Sequence, residues 1–71
     1  MVCPMSSATV AELSSAAEAI GAYQRRVSGL AAVHANDDHE DLVAAIYEAE
    51  RSLGIAERTL RRAIKLASAH R

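Results

Sequence analysis

The sequence predicts an all-α protein: an antiparallel two-helix hairpin, coiled-coil-like in its packing, that assembles into a four-helix bundle by self-association. Three observations predict it. Apolar residues recur at period seven in two long runs. The polar stretch Asn36-Asp37-Asp38-His39 separates the two runs. The chain also holds more large apolar positions than the single seam of one helix pair encloses.

A chain of 71 residues is one small domain, short for burying a core alone. Hydrophobic residues make up 51%, but aromatics only 3%, the two tyrosines Tyr23 and Tyr47. Alanine is the commonest apolar residue, and it removes little area from water at about 25 cal/mol per Å². With 24% charged residues, one proline and three scattered glycines, the composition is not that of a disordered chain. The length excludes a doubly wound α/β enzyme or a barrel. No glycine-rich phosphate loop is present, and no apolar run of about 18 residues spans a membrane. Cys3 is the one cysteine, so no disulfide forms within the chain. Without a basic, apolar leader at Met1–Met5, a cytoplasmic location is expected.

The elements follow in order. Residues 1–6 are expected to be a disordered tail, and 7–71 a single helical-hairpin domain: helix over 7–35, turn at 36–38, helix over 38–69. Ser6, Ser7 or Thr9 caps the first helix, Thr9 and Glu12 having the spacing of a capping box. Leu13, Ile20, Val27 and His34 form one row of its seam, and Ala16, Tyr23 and Leu30 the other. Asn36 suits the turn, and Asp37 or Asp38 caps the second helix, with Glu40 and Asp41 at its positive end. There the rows are Ile46, Leu53, Leu60 and Ala67, and Leu42, Ala49, Ala56 and Ala63. Basic residues then crowd towards the negative end of this helix.

A short polar turn makes the helices antiparallel, with residue i opposite about residue 72 minus i. That register puts Arg25 and Arg26 near Glu48 and Glu50, and Glu12 and Glu18 near Arg58 and Arg61. Val10, Val33, Val43, Ile55, Ile64 and Leu66 lie off the seam rows. Ser14, Ser15, Gly21, Ala22, Ser28 and Gly29 form a small-residue band, either solvated or a tight subunit contact. The surplus apolar positions predict a homo-oligomer, a dimer first. Its self-association seam is Leu13, Ile20, Tyr23, Val27, Leu30, Leu42, Ile46, Leu53, Leu60 and Ile64.

Arg51, Arg58, Arg61, Arg62 and Lys65 are the candidate surface for a partner or an anion. Arg58/Arg62 and Arg61/Lys65 are like-charge pairs four apart, and Glu57–Arg61 is the favourable pair among them. Either the opposing acidic helix or an anionic partner neutralises the cluster. The net charge of −1 and the absence of a stacking platform disfavour a dedicated nucleic-acid binder, and a protein partner is expected instead.

The segment Ala49-Glu50-Arg51-Ser52-Leu53-Gly54-Ile55-Ala56-Glu57-Arg58-Thr59-Leu60-Arg61-Arg62-Ala63-Ile64-Lys65 resembles the helix-turn-helix of Fis-type and related bacterial regulators. The resemblance implies a DNA-binding motif at about 45–66. Gly54 would be the turn glycine, with Arg58, Arg61, Arg62 and Lys65 facing DNA. Glu50 departs from the small residue such motifs pack there, and Ala56 from the usual capping Ser or Asn. The heptad also runs in phase through Gly54, which predicts one continuous helix.

The turn, with His34, His39 and four acids in eight residues, has the donors for a metal but matches no established ligand spacing. Glu48, Glu50 and Glu57 lack the Glu-x-x-His spacing of di-iron bundles. No catalytic, cofactor or metal residue is therefore assigned. The sequence reads as a small non-enzymatic interaction or adaptor protein. The alternatives are a small DNA-binding regulator and a metal-binding bundle.

Overall fold

The computed structural model describes residues 7–36 and 39–69. Two helices, α1 (Ser7–Val33) and α2 (Glu40–Ala69), pack against each other, and all regular structure among the described residues is helical. The expected tail over 1–6 lies outside the described residues, as does a capping role for Ser6, Asp37 or Asp38.

The helix ends differ in detail from the sequence reading. Ser7 is already helical, so Thr9 sits inside the first turn and the Thr9–Glu12 pairing does not mark the boundary. α1 closes with the His34 amide donating to the Leu30 carbonyl at 3.1 Å, then tightens as Ala35 donates to Ala32 at 3.4 Å. At the start of α2, the Val43 amide donates to the His39 carbonyl at 3.1 Å, which puts His39 at the N-cap position. Asp41 Oδ1 accepts from the Leu42 amide at 2.8 Å, so an acid still serves the donor-rich first turn. At the far end the last turn of α2 carries no basic residue. Lys65 lies just before that turn, where the helix dipole rewards it less.

α2 runs unbroken through Gly54, and no described glycine has positive φ. The bend that a helix-turn-helix requires at Ser52–Ile55 is not there. Thr59, a poor residue for a helix interior, satisfies its hydroxyl by donating to the Ile55 carbonyl at 2.9 Å.

The helices meet on small residues. A Cβ built on Gly21 would lie 3.1 Å from Glu57 Oε2, and one built on Gly54 would lie 2.9 Å from Gln24 Nε2. Long helical side chains lean back towards their own N-terminus. Glu57 therefore reaches back over the level of Gly54, and Gln24 over that of Gly21. The two glycines face each other, each beside the polar side chain three residues after the other. The register is thus about three residues from the mid-turn expectation.

The fully buried apolar residues are Ala17, Ala31 and Ala67, none more than 5% exposed, with Gly21 and Gly54 beside them. Among the described residues, no larger side chain is fully buried. The outline follows from this. The molecule measures 60 × 13 × 11 Å, and its radius of gyration is 16.4 Å. A compact chain of this length would have about 11 Å.

Gly29, unlike Gly54, has open space where its Cβ would go. Gly29→Ala should stabilise the protein by about 0.5–1 kcal/mol, through helix propensity alone. Gly54→Leu should destabilise it by about 1–3 kcal/mol, because a bulky side chain in this buried position must displace Gln24 and overpack the helix contact. Urea unfolding monitored by circular dichroism measures both. Equal effects at the two positions would contradict the close approach at Gly54.

Candidate functional site

The turn of each helix relative to its neighbour decides which side chains remain available. Successive residues are 100° apart, so exposure along α1 gives the contact face directly. Its inner row is Val10, Ala17, Gln24 and Ala31, flanked on one side by Leu13, Ile20, Val27 and His34 and on the other by Ser14, Gly21 and Ser28. The row Ala16, Tyr23 and Leu30, expected within the seam, lies outside the helix contact; Tyr23 and Leu30 are each 51% exposed.

α2 repeats the displacement. Ile46, Leu53, Leu60 and Ala67 face α1 as expected, but their companions are Val43, Glu50, Glu57 and Ile64. Leu42 at 43% and Ala49 are exposed, while Ala56 and Ala63 are half-buried at the margin. The sequence carried a signal for this. Val10, Val43 and Ile64 stand off the heptad rows, and Ala17, Gly21 and Gly54 allow close approach. The band Ser14, Gly21 and Ser28 makes its tight contact within the hairpin, while Ser15 and Gly29 face outward.

Both helices are rotated towards the same side. The Gly21–Glu57 contact puts the small flank of α1 beside the Glu50/Glu57 flank of α2. In an antiparallel pair the opposite flanks then share the other side of the hairpin. Ala16, Tyr23 and Leu30 of α1 thus lie alongside Leu42, Ala49, Ala56 and Ala63 of α2. The half-buried Leu13, Ile20, Val27, Ile46, Leu53 and Leu60 floor the strip between them. Val33 and Leu66, both exposed, border it; Ile64, Tyr47 and Ile55 lie elsewhere. The Arg26 guanidinium stands 5.4 Å from the Tyr23 ring centroid and shields one ring face.

The basic residues Arg51, Arg58, Arg61, Arg62 and Lys65 are all exposed. Arg51, Arg58 and Lys65 form one stripe on the outer face of α2. Arg58 and Arg62 flank a shallow depression with Ile55 and Thr59. The cross-helix neutralisation expected from the sequence does not form. Among the described residues, none of the pairs of Arg25 or Arg26 with Glu48 or Glu50, or of Glu12 or Glu18 with Arg58 or Arg61, closes to 4.0 Å. The pair that does form is local, Arg61 Nε to Glu57 Oε2 at 3.3 Å within α2.

Among the described residues, no three His, Cys, Asp or Glu side chains gather closely enough to hold a metal ion. No helix there is long and apolar enough to cross a membrane. Comparison with protein-family models, with curated proteins and with solved structures finds no match to this chain.

Replacing Arg61 and Arg62 together by alanine should change stability by less than about 1 kcal/mol. The ion pair it removes is more than half exposed on the arginine side, and such pairs contribute little. Thermal unfolding of the double variant measures this. A loss several times larger would mean that these side chains hold the hairpin together.

Proposed function

We propose that the protein is a small non-enzymatic interaction module whose hairpins pair face to face through the apolar strip into a four-helix bundle. The basic stripe of each copy then stays outward for an acidic protein partner. One observation carries the reading: the unburied apolar residues of both helices concentrate on a single side of the hairpin. In a four-helix bundle each helix turns its apolar wedge towards the bundle axis, partly to one neighbour and partly to the next. In a lone hairpin half of each wedge has no neighbour, which is the displacement seen in both helices.

Area supports the same reading. The accessible surface is 5352 Å², against about 4,250 Å² for a compact monomer of this mass. The excess, roughly 1,100 Å², is of the order that one partner contributes to a stable interface, about 800 Å². A cytoplasmic setting, with Cys3 reduced, completes the proposal. Duplex DNA should bind only at the non-specific level, about 10⁻⁴ M or weaker near physiological salt.

Sedimentation equilibrium tests the pairing. The parent chain should sediment as a dimer at micromolar concentration. Tyr23→Glu with Leu30→Glu should yield a monomer, because both residues lie outside the helix contact yet within the strip. A folded parent monomer across the micromolar range would overturn the proposal.

A further inference from the structure

We infer that the second copy lies antiparallel to the first, with the two turns at opposite ends of the bundle, α1 against α1 and α2 against α2. This rests on the self-association proposed above and adds the orientation. Two face-to-face arrangements keep every neighbouring helix antiparallel. In one, the two-fold axis runs along the helices and both turns share one end. In the other, the axis crosses them and the turns lie apart.

Outside the helix contact, the same charge logic recurs on both helices. On α1, Glu12, Ala19 and Arg26 are seven apart; on α2, Glu48, Ile55 and Arg62 are seven apart. Each stripe is acid, apolar, base, and Ala19 and Ile55 lie at about the same height, given that Gly21 is level with Gly54. One crossing two-fold axis at that height sets Glu12 of one copy level with Arg26 of the other. It also sets Glu48 level with Arg62. Parallel neighbours would oppose like charges. The lengthwise axis sets the same stripes level crosswise, Glu12 with Arg62 and Arg26 with Glu48, so these stripes permit either arrangement.

The ends decide between them. Cut across its middle, the hairpin is a charged rod. Among the described residues, 25–36 and 39–50, the turn half, carry four acids against two arginines, a net −2. Residues 7–24 with 51–69, the open half, carry five basic residues against three acids, a net +2. The described ends of this pattern are Glu40 and Asp41 near the turn and Arg62 and Lys65 towards the open end, all exposed. Turns at one end would gather the four halves into two poles of like charge, −4 and +4 by the same count. Turns apart bring each acidic end beside the basic end of the other copy. Adjacent helices lie about 8–10 Å apart, comparable to the Debye length of about 8 Å at physiological ionic strength. The ends therefore still feel each other.

Pulsed dipolar spectroscopy on the full chain tests this. One nitroxide is placed on Asn36→Cys, in a Cys3→Ser background, with circular dichroism to check that helicity is kept; Asn36 is exposed. From the height of Ala19 to residue 36 is about 25 Å at 1.5 Å per residue, so the two labels should be about 50 Å apart. A distance of roughly 10–20 Å would overturn the antiparallel orientation while leaving self-association standing. Absence of any dipolar modulation at micromolar concentration would overturn the pairing itself.

Discussion

The close approach of the two helices at Gly21 and Gly54 is the constraint on which the rest of the molecule depends. Among the described residues, the fully buried places in this contact are taken by glycine and alanine. Ala17, Ala31 and Ala67 fill the contact, and each removes only a small area from water. Most of the larger apolar side chains lie towards one edge of the contact, half-buried where they floor the strip and exposed where they border it. Because both helices displace them in the same sense, one side of the hairpin is the more apolar, with Tyr47 and Ile55 exposed elsewhere. A two-helix chain with no large buried side chain has little to set against the conformational entropy of about 60 ordered residues. The proposed pairing would supply the burial that this contact lacks.

The polar side of the seam follows from the same geometry. Gln24 and Glu57 occupy matching positions, three residues after Gly21 and Gly54, and each lies over the other helix's glycine. Long, flexible side chains cover the glycines here, where a rigid apolar residue would force the axes apart. Glu57 also holds Arg61, so part of the basic cluster is tied locally while its other members project outward. Charge in this protein acts along the rod, between a negative turn half and a positive open half, more than across the helix pair.

Much of this was legible in the residues. The period-seven rows Leu13-Ile20-Val27-His34 and Ile46-Leu53-Leu60-Ala67 do face the opposite helix, and the phase through Gly54 does mark a continuous helix. The companion rows did not, because a heptad reading weights large residues, whereas this contact is chosen by small ones. Tyr23 and Leu30 satisfy the period but not the distance. The cap of α2 falls at His39, next to aspartates with stronger intrinsic preference, because the main-chain path sets which carbonyl accepts first. The cross-helix ion pairs were inferred from register alone; among the described residues, charged groups on the two outer faces stay too far apart to close. What the surface binds was not legible, since an apolar strip and a basic stripe specify the character of a neighbour and carry no reaction chemistry.

The account stands most directly on whether folding and association are one process. The unfolding midpoint should therefore be measured by circular dichroism at protein concentrations from about 1 μM to 1 mM. If the small-residue seam is insufficient alone, the midpoint rises steadily with concentration, as mass action requires when folded chains bind each other. A midpoint that stays fixed across that range would show that the lone hairpin carries its own stability, and would contradict the account.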